Sequence, residues 1–165
     1  MRRHECSRCG AAALVTRDTY RFKESGLSSV VLLGIEVIKC KECGNIDPII
    51  PFTNDLMRVL ALAVIAQPYR LGGEEIRFLR KYLGKTGREL GELLEVDKST
   101  VSKWENNEDP IGPQSDRLIR AITLGLAAGL KKEFEWVVKS FPNIKNEIRP
   151  NDIEINTEDM SYQYA

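Results

Sequence analysis

All four cysteines of this 165-residue chain lie in two Cys-x-x-Cys pairs, and a glycine follows each pair directly. The pairs are Cys6/Cys9 before Gly10 and Cys40/Cys43 before Gly44. Thiolates at this spacing point at one centre, and glycine permits the tight turn that directs backbone N–H groups toward the sulfurs. We call each such turn a knuckle. Two knuckles supply the four sulfurs of a closed tetrahedral site, which suits Zn²⁺, so we expect one structural zinc ion per chain.

Other interpretations of the cysteines are weaker. A redox pair is disfavoured because two matching knuckles occur and no βαβ pattern surrounds them. Two disulfides would need an oxidising compartment, yet no apolar segment follows the charged residues 1–5 as it does in a signal peptide. We therefore expect a cytoplasmic location. His4, the single histidine, is an alternative ligand, but four sulfurs already complete the site.

Charge and hydropathy restrict the classes of function. The 24 basic and 24 acidic side chains give zero net charge, which argues against a chain-wide polycation but allows a local basic face. The longest apolar run, residues 56–66, is interrupted by Arg58 and is shorter than the ~20 residues of a membrane helix. No phosphate-cradling glycine loop and no acid pair beside a nucleophile occurs. We therefore expect neither a membrane protein nor an enzyme.

The residue pattern predicts an α+β chain with a small metal-bound β domain at residues 1–50. Residues 20–23 alternate in polarity, and residues 30–38 are rich in β-branched side chains. Because a sheet this small has little hydrophobic core of its own, metal binding is expected to supply much of the folding free energy of this domain. Prolines 48 and 51 mark the end of this domain.

Helices are predicted for most of the remaining chain. A linker helix is expected in residues 51–70, starting near Thr53 and packing either on its own domain or in a dimer seam. The spacing of apolar residues over 71–130 predicts an all-helical domain. Residues 131–165 predict a helix and a polar tail, in which residues 153–155 are either a short strand or mobile. The expected apolar positions of the later helices are Leu118, Ile119, Ile122 and Leu126, then Phe134, Val137, Val138 and Phe141.

Within the helical domain, two short helices are joined by a tight turn. Thr86 and Glu89 form a capping-box pattern, and the helix that they open is expected to bury three leucines: Leu90, Leu93 and Leu94. After Glu95 and Val96, Asp97 caps the second helix. Such a pair of helices presents its second helix to the major groove of DNA.

The second helix has side chains suited to DNA on its polar face. These are Lys98, Ser99, Thr100, Ser102 and Lys103. Hydroxyls and amides near the helix N-terminus suit phosphates. Ser99, Ser102 and Lys103 are the candidates for contacts with base edges, with Lys103 suited to guanine N7 and O6. Any amphipathic helix has a polar face, so the DNA interpretation depends on the combination with the capping box and the tight turn.

The segment LGKTGRELGELLEVDKSTVSKWE, residues 83–105, resembles the Xre/Cro-type helix-turn-helix of phage repressors, which implies a lambda-repressor-like fold. The two knuckles, with residues 20–23 and 34–40, resemble the YgiT-type zinc finger. In this order, over residues 5–125, the two parts resemble MqsA-type antitoxins and related zinc-finger regulators.

The resemblance implies a homodimeric repressor that binds a palindromic operator in double-stranded DNA. It also implies an antitoxin that regulates its own operon and whose zinc domain contacts a small RNase toxin. Base contacts are carried over to Ser99 and Lys103. Many relatives have a phosphate-binding glutamine where this chain has Gly87, so that contact is either absent or replaced by one from Thr86 or Arg88. The alternatives are a regulator without a toxin and a zinc-stabilised adaptor that binds protein.

Overall fold

The computed structural model describes residues 3–50, 52–127, 129–149 and 152–165. Among these residues the strands are β1 Arg3–Glu5, β2 Ala12–Arg21, β3 Val30–Lys39, β4 Ile46–Ile49, β5 Ile153–Asn156 and β6 Tyr162–Tyr164. The α-helices are α1 Thr53–Ala66, α2 Gly73–Tyr82, α3 Gly87–Leu94, α4 Lys98–Glu105, α5 Pro113–Leu126 and α6 Phe134–Ser140. Short 3-10 turns lie at Lys23–Ser25, Lys131–Glu133 and Phe141–Asn143. The predicted α+β class is confirmed.

The strands of the described residues form one six-stranded sheet centred on β3. One edge of β3 pairs with β2, antiparallel, along most of its length. On the other edge, the C-terminal half of β3 pairs with β4 and its N-terminal half pairs in parallel with β5. Gly34, with φ 70°, lies where this partner changes, and the β2 register shifts nearby between Asp18 and Tyr20. A glycine in the left-handed region allows β3 to bend there.

The C-terminal segment belongs to this sheet. β5 lies against β3, and β6 pairs with β5. The hydroxyl of Tyr164 donates a 2.7 Å hydrogen bond to the carbonyl of Ala63 in α1. Ile153 and Ile155 are buried in the main core. Of the two alternatives for this segment, the strand is therefore correct and the mobile tail is wrong.

The sheet and the helices share one hydrophobic core. β3 contributes Val30 and Leu32 to it before Gly34, and Ile35 and Val37 after Gly34, where the alternation shifts by one residue. α1 buries its apolar face in the same core, namely Leu56, Val59, Leu60, Ala63 and Val64. Of the two alternatives for this helix, packing within its own chain is the one found. The core is continuous across residue 50, so the four-part domain division remains a prediction from sequence.

A buried ion pair joins α5 to the end of α1. Arg120 is 0% exposed and Asp116 is 1% exposed. The Nε of Arg120 donates to Asp116 Oδ2 at 3.0 Å. The guanidinium also donates to the carbonyls of Ile65, Gln67 and Tyr69 at 2.6 to 2.8 Å. Because the Arg120 guanidinium binds all three carbonyls at once, it fixes the segment between α1 and α2 against α5.

Several side chains expected in the core are exposed: Leu93 by 42%, Leu118 by 43%, Leu126 by 60% and Phe134 by 45%. In α3 the buried positions are Leu90, Gly91 and Leu94, so the inward face is turned away from Leu93. In α5 the buried ion pair takes the inward face, and Leu118 lies on the opposite side of the helix. The prediction that these leucines are buried is therefore wrong.

Candidate metal centre and nucleic-acid interface

The two knuckles have the same backbone conformation. In the first, the N–H of Gly10 donates to the carbonyl of Cys6 at 2.9 Å, and in the second Gly44 donates to Cys40 at 3.0 Å. Gly10 has φ 72° and Gly44 has φ 70°, both in the left-handed region. This conformation is the reason that each pair ends in glycine.

The four Sγ atoms lie within 4.8 Å of one another. Two of the distances, Cys6–Cys43 and Cys9–Cys40, are 3.5 Å. A tetrahedron of thiolates about 2.3 Å from a zinc ion has edges of about 3.8 Å. All four cysteines are free, and the N–H of Arg8 approaches Cys6 Sγ at 3.4 Å. The cluster therefore fits a tetrahedral metal ion, and His4 is not part of it.

The thiols influence one another's ionisation. Hydrogen bonds from the backbone N–H groups of Arg8 and Cys9 lower the pKa of Cys6 to about 7. The N–H of Ala11 acts in the same direction on Cys9, but the thiols of Cys43 and Cys40 and burial outweigh it and raise the pKa of Cys9 to about 12. Without a cation, four neighbouring thiolates repel one another. A divalent ion would displace the protons, so its binding is expected to weaken as the pH falls.

The capping box at the start of α3 is confirmed. Thr86 Oγ1 accepts from the N–H of Glu89 at 3.2 Å, and Glu89 Oε2 accepts from the N–H of Thr86 at 2.7 Å. The hydrogen bond from the N–H of Thr86, together with the Thr86 side chain, lowers the pKa of Glu89. α3 therefore begins at a fixed position, with two of its unpaired backbone donors satisfied.

The backbone of the turn between α3 and α4 has little conformational freedom. Glu95 has φ 52°, in the left-handed region that non-glycine residues rarely adopt. A Cβ on Gly91 would lie 2.7 Å from the carbonyl oxygen of Val96, so only glycine fits at this crossing. Asp97 Oδ1 accepts from the N–H of Ser99 at 2.7 Å and caps α4 as predicted. The angle between the two helices is therefore set by the backbone.

Glu95→Gly is expected to raise the free energy of unfolding by about 1 kcal/mol, because glycine adopts the left-handed region without strain. The matched control is Glu92→Gly on the exposed face of α3, which should lower it by about 1 kcal/mol through helix propensity and the loss of the exposed ion pair with Arg88. Urea denaturation of both variants measures the difference. If Glu95→Gly also lowers stability, the conformation assigned to the turn is wrong.

The inner side of α4 is firmly held. Val101 and Trp104 are buried. Glu105 accepts two hydrogen bonds from the guanidinium of Arg80 in α2, at 2.6 and 3.1 Å. Sequence reasoning missed this ion pair, because the two residues belong to different helices. Anchored by Trp104 and Glu105, α4 presents its opposite face to solvent.

The predicted DNA contacts lie where the sequence places them on the helices. Lys98, Ser99, Ser102 and Lys103 are exposed on α4, and Thr100 is half-buried. Lys103 Nζ lies 3.5 Å from a carboxylate oxygen of Asp109. On α3, Arg88 pairs with Glu92 at 2.9 Å, while the oxygen of Thr86 is engaged in the cap. Binding DNA through Lys103 or Arg88 would therefore require exchange of an internal ion pair for a phosphate or a base.

Comparison with known families identifies this region. The helix-turn-helix family model matches residues 76–120, from within α2 into α5. The matched residues include both helices of the predicted motif, α3 and α4. The match supports a DNA-binding regulator and the Xre/Cro-type part of the resemblance. No curated protein and no solved structure matches the chain. Among the described helices, none has the length and apolar character needed to cross a lipid bilayer.

Proposed function

We propose that this chain is a sequence-specific transcriptional regulator that contacts operator DNA with α4 of its helix-turn-helix domain. The observation that carries the proposal is the division of α4 into two faces. Its inner face is fixed by Trp104 and the ion pair of Glu105, while short hydroxyls and lysines occupy the outer face. A rigid helix with an exposed polar face suits direct contact with base edges in the major groove.

The proposed roles follow from position along the helices. Ser99, Ser102 and Lys103 contact base edges, with Lys103 donating to guanine. Lys98 and Thr100, in the first turn of α4, bind phosphate. At the N-cap of α3, Thr86 donates its hydroxyl hydrogen to phosphate, and Arg88 exchanges its ion pair with Glu92 for a phosphate contact. The operator is expected to be palindromic, because two copies of the domain related by a twofold axis would bind its half-sites.

We assign a structural zinc ion to the knuckle cluster, held by Cys6, Cys9, Cys40 and Cys43. Four thiolates without an open position favour zinc as a closed site. Its chemical contribution would be to fix the end of the sheet where β1 and β2 meet β3 and β4. The expected stoichiometry is one ion per chain.

Lys103→Ala is expected to weaken binding to the operator by roughly 1–3 kcal/mol per site, while affinity for random DNA changes little. The operator candidate is the DNA upstream of the chain's own gene. Fluorescence anisotropy with specific and random duplexes measures the ratio of affinities. Lys131→Ala, which removes an exposed lysine outside the helix-turn-helix domain, is the control. An unchanged ratio in Lys103→Ala would remove α4 from the recognition role.

A narrower form of the proposal is an antitoxin that represses its own operon and binds a small RNase toxin. Its support is the resemblance of the knuckles and the helix-turn-helix to MqsA-type regulators. The test is the neighbouring reading frame: its product should arrest growth when expressed alone, and co-expression of this chain should restore growth. A neighbour that is harmless alone contradicts the antitoxin role and leaves DNA binding intact.

A protein-binding adaptor is the second candidate, and the charge of the motif favours it. Residues 87–109 contain seven acidic side chains and only three basic ones. A surface of this charge does not by itself attract DNA. Absence of any salt-dependent binding of the intact chain to duplex DNA would favour the adaptor.

A further inference from the structure

A basic cluster outside the helix-turn-helix motif surrounds Tyr69. We call Arg70, Lys145 and Arg149 the Tyr69 cluster. The Nζ of Lys145 lies 5.0 Å from the centre of the Tyr69 ring, and the guanidinium carbon of Arg149 lies 5.7 Å from it. Arg149 also donates to the Tyr69 hydroxyl at 3.2 Å. This hydrogen bond, helped by the charges of Lys145 and Arg149, lowers the pKa of Tyr69 despite its burial.

Backbone hydrogen bonds hold the cluster in place. The N–H of Lys145 donates to the carbonyl of Pro68 at 2.9 Å, and the N–H of Arg70 donates to the carbonyl of Glu147 at 3.1 Å. The Arg70 guanidinium donates to Asn146 Oδ1 at 3.0 Å. The segment that carries Lys145 and Arg149 is therefore attached to the segment just before α2.

The charges of the cluster are not neutralised within the described part of the chain. No carboxylate there forms an ion pair with Arg70, Lys145 or Arg149. Lys145 and Arg149 are exposed to solvent. By contrast, two of the three cations of residues 87–109, Arg88 and Lys103, already have acidic partners. The Tyr69 cluster thus has exposed cations without acidic partners, whereas most cations of residues 87–109 are already paired.

The cluster also lies beside the C-terminal end of α4. Ile148, between its two exposed cations, lines a cavity of about 100 Å³ with Trp104, on the inner face of α4, and with Asn107, two residues beyond its C-terminal end. α4 has 8 residues and is therefore about 12 Å long. The major groove is also about 12 Å wide. When the N-terminal half of α4 contacts bases, its C-terminal end is expected at the edge of the groove, where a phosphate backbone passes.

We propose that the Tyr69 cluster is a second DNA contact, in which Lys145 and Arg149, supported by Arg70, bind backbone phosphates flanking the bases that α4 contacts. The inference depends on the proposed function, because α4 must first enter the groove. Phosphate contacts contribute affinity and position rather than sequence preference. The cluster would therefore offset the acidic charge of residues 87–109 without changing which operator is chosen.

The test combines Lys145→Gln with Arg149→Gln in the full chain. Each lost phosphate contact reduces the magnitude of the slope of log K against log salt concentration by about 0.9, so the double variant should lose about 1.8 per bound chain, or about 3.6 when two copies occupy a palindromic operator. Its affinity for operator and random duplexes should fall by the same factor. Lys131→Gln with Lys132→Gln removes the same charge beyond the C-terminal end of α5 and should leave the slope near that of the wild type.

The outcomes separate the two proposals. If the wild type binds its operator and the double variant keeps the wild-type slope, the cluster is not a DNA contact and the role of α4 stands. If the wild type shows no salt-dependent DNA binding, the proposed function itself fails. Circular dichroism checks that the double variant is folded. Should it unfold, Lys145→Gln alone is expected to reduce the magnitude of the slope by about 0.9 per bound chain, and an unchanged slope overturns the inference.

Discussion

Arg120→Met is expected to lower the free energy of unfolding by about 3–5 kcal/mol, the largest effect of any single substitution considered for this chain. The substitution leaves the carboxylate of Asp116 buried without its cation. It also removes the donors for the carbonyls of Ile65, Gln67 and Tyr69. Methionine fills much of the volume, so the loss would come from unpaired polar groups rather than from a cavity.

The chain contains a matched control for this experiment. Arg88 pairs with Glu92 at the same helical spacing, but both side chains are exposed, by 80% and 62%. Arg88→Met is therefore expected to change stability by no more than about 0.5 kcal/mol. Chemical denaturation of both variants gives the comparison. A loss below about 1 kcal/mol in Arg120→Met would show that the buried pair does not hold α5 to the end of α1.

Removal of the metal is expected to disorder the knuckle end of the sheet while the helices remain folded. Cys6, Ala13 and Cys40 form a small cluster separate from the main core, so little else holds that end together. The opposite end of the sheet packs on α1 and is paired with β5. The sequence alone suggested that residues 1–50 depend on the metal as one unit. The shared core instead limits the expected damage to the region around the knuckles.

Cys40→Ser and strong chelation both test this expectation. Hydrogen exchange read by mass spectrometry should show lost protection in residues 3–15 and 38–49 and retained protection in residues 28–36 and in α1. His4→Ala, which alters the one histidine, should keep one metal ion per chain by elemental analysis. Equal loss of protection across the sheet and helices would mean that the core depends on the metal as a whole. Unchanged protection would mean that no metal supports the knuckles.

The features predicted correctly are those encoded by residues close together in sequence. The capping box needs Thr86 and Glu89, the cap of α4 needs Asp97 and Ser99, and each knuckle needs two cysteines and a glycine. The hydrogen bonds in these features span only a few residues. A single sequence is therefore sufficient to identify them.

The features missed depend on residues far apart in sequence. Pairing of β5 with β3 joins residues more than 100 positions apart, and Ile153-x-Ile155 alone gives no indication of its partner strand. The ion pair of Arg80 and Glu105 joins two helices whose packing a single sequence does not specify. Arginine is rarely buried unless it is paired, and the carbonyls that pair with Arg120 lie more than 50 positions away, so the sequence around Arg120 does not indicate its burial. The exposure of Leu118 has the same origin, because the buried ion pair occupies the inward face of α5.

Chemical-shift mapping of backbone amides during titration with DNA from upstream of the gene tests the central claim most directly. The largest changes are expected in α4, around Ser99 and Ser102, and near Thr86 at the start of α3. The knuckle residues should remain unperturbed. Changes confined to the knuckles with α4 unaffected, or no changes at all, would contradict the assignment of α4 as the DNA-recognition helix.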